Sequence, residues 1–178
     1  SCHPSVLQLI QPALREGDWQ VTVAVHQSER IVAVWRGYKD QAFGLAVDIG
    51  STTIAGHLCD LGSGEVVASA GMMNPQIRFG EDLMSRVSYL LMKPDGREEM
   101  TQVVRAAVNQ LITETVAAVD SDASHVLELS IAGNPIMHHL FLGLSPVELG
   151  TAPFALVTDA AIGQDAASLG LRTNPGAQ

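Results

Sequence analysis

The stretch Gly44-Leu45-Ala46-Val47-Asp48-Ile49-Gly50-Ser51-Thr52-Thr53 narrows the possible folds more than any other part of the chain. Its apolar residues suit a buried strand, which carries one carboxylate, Asp48, to its end and turns at once through glycine and hydroxyl residues. Such a turn exposes main-chain amides at Gly50, Ser51 and Thr52, and successive exposed amides form a concavity that attracts anions, polyphosphate among them. Asp48 beside it suits a hydrated magnesium ion, which keeps most of its water and takes one or two carboxylates with phosphate oxygens. Thr53 either supports the turn or offers a hydroxyl. The same residues also satisfy a plain hairpin, in which Asp48 and Gly50 serve turn geometry alone.

The flanking sequence supplies further strands. Ile54 to Leu61 follows the turn, Gly62-Ser63-Gly64 reverses the chain, and Glu65 to Ala70 runs extended, which predicts a three-stranded meander. Helical patterns come next. Gly80-Glu81-Asp82 places acids at a helix start, and Leu83, Val87, Leu90 and Leu91 recur at helical spacing until Pro94-Asp95-Gly96 interrupts them. A longer helix is expected from Arg97 to about Val119, with Val104, Val108, Leu111, Ile112 and Val116 on its core stripe. The apolar run Val126 to Gly133 then reads as a strand of the same sheet, and Asn134 with Pro135 caps a helix reaching Leu142. Gly133 and Asn134, between strand end and helix start, suit either a nucleotide contact or a plain cap.

Residues 1–43 differ from 44–178. A short helix from Pro4 to Leu14 precedes an alternating strand, Trp19 to Val25, and its partner, Ile31 to Trp35. This part is expected to form a helix and hairpin packed onto, or preceding, the main lobe.

Composition limits the partners. A formal charge of −9, from ten Lys and Arg against nineteen acids without a basic cluster, disfavours nucleic acid. Hydrophobic residues make up 47% of the chain, yet no apolar run approaches the roughly 20 residues that cross a bilayer. The start, Ser1-Cys2-His3-Pro4, has neither the basic segment nor the apolar core of a signal peptide, and without an initiating methionine it reads as cut from something longer. Cys2 and Cys59 make neither a disulfide framework nor a metal knuckle, so a cytoplasmic location is expected. His138 and His139 are neighbours on a helix and point about 100° apart, which suits packing better than shared metal binding. Cys59 and the scattered methionines read as core filling.

The order meander, helix, strand, helix, with an acid-glycine-hydroxyl turn between the first two strands, resembles one lobe of the acetate kinase, sugar kinase, heat-shock 70 and actin superfamily. The expected fold class is therefore α/β: the first lobe of an actin-like (ribonuclease H-like) ATPase, a mixed sheet with a β-meander and helices, plus the small N-terminal helix-hairpin region. Several separated runs carry a closer resemblance. Ala46 to Thr53, Asn74-Pro75-Gln76, Gly80-Glu81-Asp82 with Ser85-Arg86, Ala132 to Leu140 with Leu142-Gly143-Leu144, and the ending from Leu169 to Ala177 are similar to the reductive activators of corrinoid proteins.

That resemblance implies an ATP-dependent enzyme that returns cobalt(II) corrinoid to cobalt(I), with electrons from a [2Fe-2S] domain whose cysteine spacing this sequence lacks. It implies ATP and Mg2+ as cofactors, Asp48 as the magnesium-positioning and catalytic residue, and Gly50, Ser51, Thr52, Thr53, Gly133 and Asn134 around the nucleotide. The implied partner is the corrinoid protein of a methyltransferase system, and a homodimer is compatible. The second phosphate motif and the adenosine pocket would lie in a further lobe, so the chain by itself is expected to bind ATP weakly or not at all. Two other functions remain open: a small-molecule kinase of the same superfamily, and a non-catalytic interaction or dimerisation module.

Overall fold

A computed structural model describes residues 1–178. Helix α1 (Pro4–Glu16) is capped by the His3 side chain, which accepts the Ser5 amide, and has Pro4 in its first turn, where a missing N–H is harmless. Strands β1 (Val21–His26) and β2 (Arg30–Arg36) form an antiparallel sheet of their own. Trp19, expected in the first of these strands, lies in the turn before it with φ 64° and is 75% exposed. Asp18 and Trp19 both take the left-handed conformation to bring the chain back from α1, and the extended run starts only after them.

The main sheet follows the predicted plan. Strands β3 (Phe43–Ile49), β4 (Thr53–Asp60) and β5 (Val66–Met73) make an antiparallel meander. The chain then forms a 3-10 turn at Pro75–Phe79, helix α2 (Leu83–Met92) capped by Asp82, and helix α3 (Gly96–Ala117). These supply the long crossover that parallel pairing requires, and strand β6 (Val126–Gly133) enters parallel to β3, giving the order β5-β4-β3-β6. Helix α4 (Pro135–Leu142) leaves directly from the end of β6.

Helix α3 organises the core. Its buried Val104, Val108, Leu111 and Ile112 share one apolar cluster with Leu45, Ile54 and Leu58 of the sheet, and each fully buried side chain of this kind contributes about 1.5–3 kcal/mol. Gly56 faces this helix, and a Cβ there would meet Leu111 at 3.5 Å, an ordinary van der Waals contact. Strand β3, expected to be wholly buried, is covered on one face only: Leu45, Val47 and Ile49 point into the core, while Ala46 and Asp48 lie on the open face. That alternation leaves the carboxylate accessible.

Residues 143–178 contain two short 3-10 turns, Val147–Gly150 and Ala166–Leu169, and then return to β6. On its free edge the Gln178 amide donates to Leu127 O at 3.3 Å and Leu129 N donates to Gln178 O at 2.7 Å. This segment also seats the helix-hairpin region. Ser5 Oγ donates to Pro175 O at 2.8 Å and His3 Nε2 lies 3.1 Å from Asp165 Oδ1, while just before β6 His125 stacks on Trp35 with ring centroids 5.6 Å apart. No helix is long and apolar enough to cross a membrane.

Candidate functional site

The turn between β3 and β4 is closed by one backbone bond, from Gly50 N to Thr53 O at 3.0 Å. Gly50 is required there, because a Cβ would stand 2.7 Å from that same carbonyl. Neither Ser51 nor Thr52 has a positive φ, so the loop is not the mirror-image type whose twist suits a two-residue hairpin. Its shape is held from outside. Asn74 Nδ2 donates to Gly50 O at 2.7 Å, Asn74 N donates to Thr52 O at 2.7 Å, and the Arg86 guanidinium donates through Nη2 to Ser51 O.

These three bonds determine where the amides point. In a trans peptide the N–H lies opposite the preceding C=O, so drawing the Gly50 and Ser51 carbonyls back toward Asn74 and Arg86 turns the Ser51 and Thr52 N–H groups the other way. Neither of those amides donates a backbone or side-chain hydrogen bond within the molecule. The expectation of three available amides is corrected at Gly50, whose N–H is spent on closing the turn. Two remain, side by side and unpaired, which is the arrangement of an anion nest.

Asp48 stands on the open face, with Ala55 of β4 and Ala132 of β6 beside it in register. Methyl neighbours offer no hydrogen bond, and the carboxylate takes part in none of the ion pairs of the molecule. Thr52 and Thr53 are exposed with it. A hard, hydrated cation held by one carboxylate and by phosphate oxygens suits this donor set; a cation held by protein alone does not, since no cluster of three His, Cys, Asp or Glu side chains exists.

Gly133 is brought to the same end of the sheet, paired in register with Ile49. A Cβ there would lie 3.1 Å from Ile49 O and 3.2 Å from Met137 Cβ, so the glycine lets α4 start directly beneath the turn. Asn134 Oδ1 accepts the Met137 amide at 3.1 Å and caps α4, which leaves only its Nδ2 to meet a ligand. His139 is fully buried, with Nδ1 donating to Pro135 O at 2.7 Å and Nε2 accepting the Val157 amide at 3.0 Å. Both its nitrogens serve the backbone. His138 is half-buried at an apolar cavity of about 340 Å³ between β6, α4 and the loop around Ile162. Cys59 is half-buried and not the enclosed core residue that its strand position suggested.

Of the residues that brace the turn, Arg86 and Met137 were not singled out by sequence as a site. Asn74, Arg86 and Met137 are 1%, 0% and 1% exposed and meet at the Met137 sulfur, 3.8 Å from Asn74 Nδ2 and 3.4 Å from Arg86 Nη1. Arg86 Nε also donates to Gly80 O at 3.0 Å. Burial draws the Arg86 pKa below its ordinary value, opposed in part by the charge of Asp82. A signal was present: Arg86 falls between Leu83 and Leu90 at spacings of three and four, inside the apolar stripe of α2, where a cation is out of place unless it is used.

The family model described as the RACo middle region matches residues 43–178, and the RACo linker region matches residues 1–41. This chain belongs to the RACo family. Among curated proteins it is similar to the corrinoid activation enzyme RamQ of Eubacterium limosum, 35% identical over 112 residues that make up 63% of this chain and 19% of that protein. Among solved structures it is similar to a reductive activator for corrinoid, iron-sulfur protein, with a TM-score of 0.83 and 29% identity over 99% of this chain and 29% of the other. The chain thus spans under a third of either relative. Its α/β fold is that of the family's middle region, an actin-like lobe with a mixed sheet, as the strand order anticipated.

Proposed function

We propose that this chain is the phosphate-gripping lobe of an ATP-dependent reductive activator that returns cobalt(II) corrinoid proteins to cobalt(I). The observation that carries the reading is the pair of unpaired amides, Ser51 N–H and Thr52 N–H, turned outward by pinned carbonyls next to an unpaired carboxylate. In this reading Ser51 and Thr52 bind phosphate oxygens through the main chain, Asp48 orients the water shell of Mg2+, and Thr53 contributes its hydroxyl. Gly50 keeps the turn tight. Gly133 allows α4 to approach, and Asn134 Nδ2 faces the nucleotide. Phosphoryl chemistry asks for positioning and charge neutralisation more than for covalent participation, and this set supplies both.

Residues 44–178 form the nucleotide lobe in this proposal, and residues 1–43 hold it against a [2Fe-2S] domain outside this chain, which would supply the electron. Reduction to cobalt(I) is uphill for an ordinary ferredoxin, so nucleotide binding must favour one of two conformations unequally. Lobe closure about the phosphates is a suitable means. The partner is the corrinoid protein of a methyltransferase system, in the cytoplasm, and the activator acts as a homodimer. The kinase alternative draws no support from this lobe, where the register partners of Asp48 are Ala55 and Ala132 and neither supplies a second carboxylate to act as base.

The test is Asp48→Ala in the full-length protein, followed by ATP-dependent appearance of cobalt(I) corrinoid in visible spectra. Loss of the ATP-dependent rate with the fold intact is expected. Retention of that rate would remove the proposal.

A further inference from the structure

We propose that Arg86 is a resident counter-charge for the bound phosphates, a positioning residue that acts on the ligand through the Ser51–Thr52 peptide without touching it; this rests on the phosphate reading of the turn. Arg86 is fully buried, and its partners are all neutral: Gly80 O at 3.0 Å, Ser51 O, and Met137 Sδ at 3.4 Å. No carboxylate lies within ion-pair reach of it. The acid one turn earlier, Asp82, is exposed and bonded to Ser85 N at 2.7 Å as the cap of α2. A buried cation without a contacting anion is costly, and a chain of net charge −9 offers many acids, yet only the exposed Asp82 acts on it, from beyond ion-pair distance. The missing anion is the ligand.

The coupling is geometric. The guanidinium bonds the carbonyl at one end of the Ser51–Thr52 peptide, and the Thr52 N–H, unpaired, stands at the other end of the same planar unit. A charge-assisted bond at the oxygen polarises the peptide and strengthens its N–H as a donor. One peptide unit and two hydrogen bonds separate the charge from an anion on Thr52 N by roughly 8 Å, and at an effective dielectric of about 20 this corresponds to roughly thirtyfold in affinity for the one unit of charge seated on that amide. Because the cation is sealed behind the turn, it favours polyanions seated on the amides over small ions in solution. Affinity should therefore rise steeply from adenosine through ADP to ATP.

The experiment uses the full-length protein with magnesium-ATP, inorganic pyrophosphate, and adenosine as the uncharged probe, with thermal unfolding as the fold control. Arg86→Gln keeps a donor for Ser51 O and removes the charge. Met137→Glu places a carboxylate beside Arg86 Nη1 and cancels the charge from within, while Met137→Gln is its neutral counterpart. Arg86→Gln and Met137→Glu are expected to bind magnesium-ATP and pyrophosphate roughly ten- to a hundredfold more weakly with adenosine unaffected, and Arg86→Lys and Met137→Gln to stay within about threefold of wild type. Should Arg86→Gln fail to fold, the Met137 pair decides, because Met137→Glu leaves the cation paired. Equal losses in Met137→Glu and Met137→Gln, or wild-type pyrophosphate affinity in Arg86→Gln, would overturn the counter-charge. If wild type binds magnesium-ATP and only these variants disobey, the turn stands and Arg86 falls; if wild type binds neither phosphate probe, both readings fall.

Discussion

Replacing Asn74 with alanine tests whether the turn is held from behind. Asn74 is 1% exposed, and besides its contact with the Met137 sulfur its side chain makes two bonds to the backbone, of different kinds. Oδ1 accepts the Gln76 amide at 2.9 Å, which caps the 3-10 turn, and Nδ2 donates to Gly50 O at 2.7 Å, which pins the turn between β3 and β4. Loss of a cap of this type costs about 1 kcal/mol. Stripping the only side-chain donor from a half-buried carbonyl costs about 1–3 kcal/mol. The backbone bond from Asn74 N to Thr52 O, 2.7 Å long, survives the change, so the turn is loosened and not abolished. The sum for Asn74→Ala is about 2–4 kcal/mol, and at roughly 2–4 °C per kcal/mol for a chain of this size the melting temperature falls by roughly 5–15 °C. Asn74→Ser separates the parts: serine reaches the Gln76 amide but not Gly50, and should recover about 1 kcal/mol. Urea titration with an unchanged m-value is the assay. A loss under about 1 kcal/mol for Asn74→Ala, or full recovery by Asn74→Ser, would refute the idea that Nδ2 shapes the turn.

Two further outcomes follow from the packing. Gly176→Ala places a methyl group 2.0 Å from Val32 O and 3.0 Å from Val6 Cγ2, so the terminal segment must lift off the helix-hairpin region. A destabilisation of about 1–3 kcal/mol is expected, with faster hydrogen exchange in β2, whereas Gly163→Ala, with nothing within 4 Å, should change stability by less than about 0.5 kcal/mol; equal effects would contradict the packing. The Asp82 carboxyl is held below its ordinary pKa chiefly by the Ser85 amide. Its contribution is therefore present above the unfolded carboxyl value and vanishes as pH falls through the lower folded one, so Asp82→Ala should destabilise at pH 7 and be indistinguishable from wild type at strongly acid pH. An undiminished difference in acid would show that the cap acts otherwise.

Much of the architecture was legible in the residues. The apolar run from Leu45 to Ile49, the three- and four-residue spacing from Val104 to Val116, and Pro135 behind Asn134 each express a local rule, and the strand and helices appear where those rules put them, although β3 buries only one of its faces. Element edges moved where the backbone had needs that side-chain pattern does not report, as at Trp19, where two left-handed residues complete the turn from α1. The site was legible as residue types only. Sequence alone determined that an acid, a glycine and hydroxyl residues follow a strand, because that information is contiguous. Which way the Ser51 and Thr52 amides point was decided by Asn74 and Arg86, 24 and 35 residues away from their partners in the turn, and by Met137, 51 residues beyond Arg86. Peptide-plane orientation is set by whatever bonds the carbonyl on the far side, and only the folded chain brings those donors there.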